Sequence, residues 1–296
     1  MTEYVPVMMS DLDGPLDITK CSLHKEQWVR PVNLDQSIVD AQIRENLKRH
    51  LPRLQPVPAT SDPGSDDPAA VLSICGAGKS LETSYVELQG KVMAMNAAIP
   101  FIVSKGIPID YAMIWDANER MLTYVCDATG ATWLVASRVN PKVIDRLLDL
   151  GQTVVLWHAL GDPDLADILI AAGEVKPDPE YSILHPAMVW GGANGITRMP
   201  YLATRLGFHN LNIHGADSSF EGDITKDTHI GGALVNEREI LVQVDRSIYR
   251  TTPWMAAQVH DWQNDVYPAL KAAGVRVTVH GQGLLPHVHS LISQEG

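Results

Sequence analysis

The chain predicts an α/β fold, a mostly parallel sheet with helices on both faces, and two features of the sequence predict it. The first is a succession of short, nearly continuous apolar runs alternating with amphipathic ones, the pattern of strands that are buried on both sides. The second is the stretch Ala70 to Asn96. Here an apolar run (AVLSI) enters Cys75 to Leu81 (CGAGKSL), an amphipathic segment follows, and a second apolar run ends on Asn96. Strand, glycine turn, helix and strand make the first half of a Rossmann-like nucleotide-binding unit.

The elements follow in order. Residues 1–68 read as an N-terminal extension with no sustained period, apart from an amphipathic helix over Ser37 to His50 that sets Ile38, Ile43 and Leu47 near helical spacing. Asp11-Leu12-Asp13 has no strand leading into it and reads as exposed loop acids rather than a metal motif. Pro56 to Pro68 is a polar, proline-rich linker. The catalytic domain spans 69–296. Its predicted strands are Lys91 to Asn96, Tyr111 to Asp116, Thr132 to Val139, Thr153 to Leu160 and Asn210 to His214, with a further strand in VRVTVHG near residue 280. Helices are predicted over Ala98 to Lys105, Pro141 to Leu150 (proline in its first turn), Asp164 to Ala172, and from the glycine cluster at 191–195 through Leu206. Glu237 to Pro253 reads as a hairpin or lid, with Arg246, Tyr249 and Arg250 placed to meet a departing phosphate or, equally, forming a solvated strand face.

Composition sets limits. The chain has 296 residues, 45% of them hydrophobic, which supports a sizeable core. A formal net charge of −12 argues against a general nucleic-acid surface, whose affinity comes from many lysine and arginine contacts. The three cysteines, Cys21, Cys75 and Cys126, have no metal-ligand spacing and read as reduced thiols. With no secretory leader and no apolar run of transmembrane length, a soluble, cytoplasmic protein is expected.

Ligands of parallel sheets bind past the carboxyl ends of the strands. That rule gathers Gly76 to Ser80, Asn96, Asp116, Ser137, His158 and Asp217 along one rim. The glycine turn is either a phosphate cradle or a tight strand–helix turn, since it misses both GxxxxGKS and GxGxxG by one position. A second glycine cluster, Gly191 to Gly195 with Gly192, Asn194 and Gly195, precedes a helix, so two helix N-termini face a common anion in this reading; Asn194 alone reads better as a helix cap. HVH at 287–289 lacks a third ligand and is not assigned a metal. Trp115, Trp133, Trp157 and Trp190 can stack on a sugar or base, though core packing is the plainer reading.

ICGAGKSLE, VMAMNAAIPFIVSKGIPIDYAMIWDAN and GGANGITRMPYLATRLGFHNLNIHGADSSFEGDITKDTHI together resemble one superfamily. It includes the MptE-like 6-hydroxymethylpterin diphosphokinases, the Maf flagellin glycosyltransferases and a group of bacterial sialyltransferases. The resemblance covers roughly residues 70–230. It implies that Gly76, Gly78 and Ser80 cradle a nucleotide, that Asn96 contacts it, and that Asp116 and Asp217 lie beside the nucleotide or donor group. It also implies that His229 is the general base, a role suited to a group that titrates near neutrality. The acidic motifs of the diphosphokinases are thinned here to scattered acids. The sialyltransferases' central asparagine of the glycine turn is replaced by Ala77, and Ser218, Ser219 and Phe220 stand where their tyrosines follow G-x-D.

The expectation is therefore a glycosyltransferase that moves a sugar from a nucleotide-sugar donor to an acceptor hydroxyl. The acceptor is open among protein, glycan, small molecule and modified nucleic-acid base. The alternatives are an ATP- and magnesium-dependent diphosphokinase and a non-catalytic nucleotide-binding protein; magnesium is expected only for the diphosphokinase.

Overall fold

The computed structural model describes residues 16–17, 34–56, 69–159, 164–174, 188–189, 191, 194–222, 229–230 and 239–294. Asp11, Asp13, Cys21, the linker beyond Pro56, Trp190 and Gly192 lie outside the described residues. The strands are β1 (Leu16–Asp17), β2 (Gln55–Pro56), β3 (Val71–Cys75), β4 (Lys91–Met95), β5 (Tyr111–Ile114), β6 (Thr132–Ala136), β7 (Thr153–Ala159), β8 (Met188–Val189), β9 (Asn210–His214), β10 (Ile240–Val244), β11 (Ser247–Thr251) and β12 (Arg276–Val279).

One parallel sheet runs β12-β9-β3-β4-β5-β6-β7-β2, with β8 paired to the end of β7. The α/β expectation is met. All four residues of β5, and the last four of β3 and of β6, are buried at successive positions. Successive side chains point to opposite faces, so both faces of the sheet's centre are covered. From β3 the chain steps outward through β4 to β7, whereas β9 and β12 lie on the other side of β3. The order thus reverses between β3 and β9, which sets a crevice at the carboxyl ends of those two strands.

The helix α1 (Gln36–Arg49) starts where the Asp35 carboxylate accepts the Ser37 N–H at 2.8 Å. Its buried stripe is Val39, Ile43 and Leu47, a four-residue repeat, while Ile38 is 45% exposed. The expected stripe holds at Ile43 and Leu47 and fails at Ile38, whose place is taken by Val39; Asn46 and His50, both fully buried, lie beside it. The helix after the glycine turn is shorter than expected, with only α2 (Leu81–Ser84) and a 3-10 turn at Tyr85–Glu87. Thr83, Ser84, Tyr85 and Val86 are poor helix formers, and the Ser73 hydroxyl ties down the return loop through the Gln89 carbonyl and N–H.

The remaining helices are α3 (Ala98–Ser104), α4 (Pro141–Asp149), α5 (Leu165–Ala171) and α6 (Gly195–Arg205). Each ends within a residue or two of its expected bounds, and so do the strands except β6, which stops at Ala136, three residues short of the expected Val139, where the Asn46 amide takes the Ser137 and Val139 carbonyls. The C-terminal helices Pro253–Asp261, Tyr267–Ala272 and Leu284–Gln294 had no sequence expectation; a π turn at Trp262–Val266 joins the first two. The expected hairpin is β10–β11, which forms a separate small sheet with β1. No described helix is long and apolar enough to cross a membrane.

Candidate functional site

Three loops meet at the crevice beside β3. The first is the glycine turn. Gly76 N–H donates to the His214 carbonyl at 2.8 Å and Gly78 N–H to the Gly215 carbonyl at 2.9 Å. A Cβ on Gly76 would lie 2.5 Å from Gly215 O, and one on Gly78 would lie 2.7 Å from both Gly215 O and Asp217 Oδ2. The glycines are required by this loop-to-loop contact, whatever else binds there.

The second loop carries Asp217. Its Oδ2 accepts the Ser80 N–H at 2.8 Å, and its Oδ1 accepts the Ser80 hydroxyl. Burial raises the carboxyl's pKa, against the pull of these two hydrogen bonds. The donors that the sequence reading offered to a phosphate thus hold a carboxylate. The third loop follows β12 and closes over the same residue: Leu285 N–H donates to the Asp217 carbonyl at 3.1 Å, and Gly283 packs against its backbone. Lys79 turns back to pair with Glu82 at 3.1 Å.

His229 sits against the glycine turn, because Ile230 N–H donates to the Ala77 carbonyl at 2.7 Å. Its Nδ1 is buried without a hydrogen-bond partner. Burial, and next the charge of Arg120, push its pKa down to about 4, so the ring is neutral at pH 7. Beneath the turn, His214 at the end of β9 stacks on His280 with centroids 4.2 Å apart and planes within 8°. His214 is fully buried, neither ring nitrogen has a partner, and burial and His280 lower its pKa to about 4.

Farther along the rim, Asn96 follows β4 with φ +48, a left-handed backbone that a non-glycine residue adopts at a cost. Its Oδ1 is buried and unpartnered, as is the Ser137 hydroxyl after β6. Asp116 Oδ1 accepts the Asn118 N–H at 2.9 Å. Asn194 caps α6: its side chain accepts Thr197 N–H at 2.9 Å, and Thr197 Oγ1 accepts the Asn194 N–H in return. Gly195 packs on Met95 and Met113 at the ends of β4 and β5, which brings the start of α6 onto the same rim.

The hairpin residues do not converge on the crevice as a set. Arg250 makes a bidentate pair with Glu239 at 2.7 Å, and Arg246 is exposed at the turn. Tyr249 OH lies 2.9 Å from His287 Nδ1, and Thr251 Oγ1 donates to the Ser218 carbonyl at 2.7 Å, which anchors the hairpin to the Asp217 loop. Cys75 is a buried thiol whose pKa burial drives upward. Among the described residues no group of three or more His, Cys, Asp or Glu is placed to hold a metal.

Sequence reasoning offered Trp115 and Trp157 as stacking residues and missed the two arginines that join them. The guanidinium carbons of Arg138 and Arg198 lie 5.0 and 4.7 Å from the centroid of one ring, Trp115, and Trp157 stacks on Trp115 at 6.5 Å. Arg198 is 6% exposed, among the mostly apolar buried residues of α6. No periodicity marks it, since a buried arginine breaks the pattern by which helix faces are read. Also missed was Asn46 of α1, whose Nδ2 donates to the Ser137 and Val139 carbonyls at 2.9 and 2.6 Å and so fixes the turn that carries Ser137 and Arg138.

No family model matches the chain, and no curated protein matches it in sequence. Among solved structures, it is similar to the Maf glycosyltransferase from Magnetospirillum magneticum AMB-1, with a TM-score of 0.56 and 15% identity. That alignment covers 88% of this chain and 41% of the other, so the chain spans less than half the length of that protein. At this identity the likeness is one of fold.

Proposed function

We propose that the chain is a glycosyltransferase acting on a nucleotide-activated sugar, with His229 as the base that takes the acceptor's proton. The seat of His229 carries the reading. Its imidazole is neutral at pH 7, has a buried nitrogen without a partner, and is tied through Ile230 to the turn after β3 where the strand order reverses. The likeness in fold to a Maf glycosyltransferase supports the same class of chemistry. Protein, glycan, small molecule and modified base all stay open as acceptors.

In this mechanism the acceptor hydroxyl loses its proton to His229 as it attacks the anomeric carbon, and the nucleotide leaves with the bonding electron pair. A base with a pKa of about 4 is weak, and Arg120 contributes to that weakness. A bound phosphate offsets the charge of Arg120 and raises the histidine toward neutrality, so the base gains strength when the donor is present. Asp217 and Ser80, already bonded to each other, hold the loops that frame the donor rather than contacting its phosphates. Asp116 and the strained Asn96 stand at strand ends on the same rim, within the donor's field.

The test is release of free nucleotide from a panel of nucleotide sugars, with the wild-type chain and His229→Ala. Turnover of one donor that falls at least a hundredfold in His229→Ala, with donor binding kept, is the expected result. The acid limb of kcat/KM should lie near pH 4, the free protein's value, and that of kcat should lie higher. Equal turnover by His229→Ala would remove the base assignment, and turnover of ATP alone, with magnesium, would replace glycosyl transfer by pyrophosphoryl transfer.

A further inference from the structure

The turn after β6 is anchored from outside the sheet, by α1. Asn46 Nδ2 donates to the Ser137 and Val139 carbonyls at 2.9 and 2.6 Å. Two carbonyl acceptors fix the orientation of the amide, because a flipped Asn46 would set Oδ1 against both. Oδ1 therefore faces His50 Nδ1, 2.9 Å away, and an oxygen in that place calls for an N–H. On the other side of the ring, His50 Nε2 lies 3.1 Å from Asp145 Oδ1 of α4. Against the burial that would raise it, hydrogen bonds from His50 and Arg49 hold the Asp145 carboxyl below its usual range, so at pH 7 it is ionised and only accepts.

Both nitrogens of His50 thus face acceptors, and the ring satisfies both only as an imidazolium. The residue is fully buried, so neither nitrogen can turn to bulk water instead. A neutral ring breaks one link whichever tautomer it takes. With the proton on Nδ1, a lone pair meets the Asp145 carboxylate. With the proton on Nε2, a lone pair meets Asn46 Oδ1, and the amide can answer only by giving up the two carbonyls. The charges around the ring suit the cation. From α4 its direct partner is Asp145, and Arg49 of α1 pairs with that same carboxylate and with Glu45. Arg53, on the 3-10 turn that follows α1, is exposed. At the start of α5, Asp164 meets Asp40 near the other end of α1, with Asp167 and Arg44 acting on it.

We propose that His50 is a positioning residue for the candidate site: held as a buried imidazolium, it ties α1, α4 and the turn carrying Ser137 into one piece, and loss of its second proton as pH rises releases that turn. Ser137 is the rim residue most affected. Its carbonyl is one of the two that Asn46 holds, and its hydroxyl is buried without a partner, so the setting of this turn decides where that hydroxyl points. The anchor is complete on the acid side and lost on the alkaline side, since the proton itself makes the contact. The inference goes beyond the nucleotide-sugar reading and does not need it, because any ligand of the rim meets the same turn.

The experiment follows imidazole nitrogen-15 shifts and amide exchange in the full chain between pH 6 and pH 9, with His50→Gln to assign the ring signals. At pH 6 both His50 nitrogens should carry protons. As the second proton is lost, protection of the Val139 amide, corrected for the intrinsic rate, should fall about tenfold in step, the worth of one hydrogen bond. Asp145→Asn separates the proton from the packing. Its new amide can donate to Nε2, so a neutral ring with its proton on Nδ1 keeps Asn46 in place. In that variant His50 should carry one proton at pH 6, and Val139 protection should stay level across the range. Asp145 is 31% exposed, so this variant keeps the test open where His50→Gln fails to fold. A wild-type ring with one proton at pH 6, or Val139 protection that ignores the titration of His50, overturns the proposal. So does an Asp145→Asn chain whose protection still falls with pH. Turnover tests the positioning role: kcat/KM for an accepted donor should show an alkaline limb in the wild type that Asp145→Asn lacks. A donor turned over with no such limb overturns that role. A chain that turns over no nucleotide sugar removes the donor reading, and the ring and exchange measurements then decide this one by themselves.

Discussion

A methyl group on Gly78 would lie 2.7 Å from both Asp217 Oδ2 and Gly215 O, and the second of these is backbone that cannot swing aside. Gly78→Ala should therefore cost about 1–3 kcal/mol of stability, read as a lower urea midpoint at unchanged slope. A change of under half a kcal/mol would show that the two loops are not in contact. His214 makes a second prediction. Its folded pKa, about 4, lies below the ordinary 6.5, so between those values the unfolded chain binds more protons. Its contribution is complete above pH 6.5 and is lost as pH falls through that window toward 4. His229, lowered to the same value, adds to the slope. Unfolding at pH 7 and pH 5 should show the wild type losing stability on acidification and His214→Asn losing less; parallel losses would mean that His214 titrates normally.

At the scale of elements, α1 does more than cover the sheet. Asn46 is fully buried, and its amide spans the Ser137 and Val139 carbonyls while its Oδ1 meets His50 Nδ1 at 2.9 Å. His50 Nε2 in turn lies 3.1 Å from Asp145 Oδ1 on α4, and the hydrogen bonds from His50 and Arg49 hold that carboxyl below its usual range despite partial burial. Asn46→Leu strands two buried carbonyls, so it should cost about 2–4 kcal/mol and loosen the β6–α4 turn. Amide exchange at Val139 and Asn140 reports that loosening, and unchanged protection there would confine Asn46 to packing. The shortness of α2 belongs to the same scale. The turn after β3 is shaped by contact with the loop after β9 rather than by a long helix dipole.

For the molecule as a whole, the sheet is continuous from β12 to β2, and the core shared with α1 includes Val39, Ile43 and Leu47. A chain beginning at Ala69 would expose the surface those three side chains cover, at about 1.5–3 kcal/mol each, which approaches the stability of an ordinary domain. It should show no cooperative thermal transition; a melt within a few degrees of the full chain would make residues 34–56 an accessory. The alternation of apolar runs was enough to determine an α/β sheet, the strand ends and thus the rim carrying Gly76, Asn96, Asp116, Ser137 and Asp217, because period and burial are local consequences of backbone geometry. The Asn194 cap was equally local, since a cap and its N3 partner are three residues apart. Only the tertiary structure decided that Ser80 serves Asp217, that Ile38 faces out while Asn46 reaches the β6 turn, and that Arg138 and Arg198 share Trp115. Each of these joins residues from about 20 to 140 positions apart or depends on which helix face is covered, and that is settled when the loops pack together.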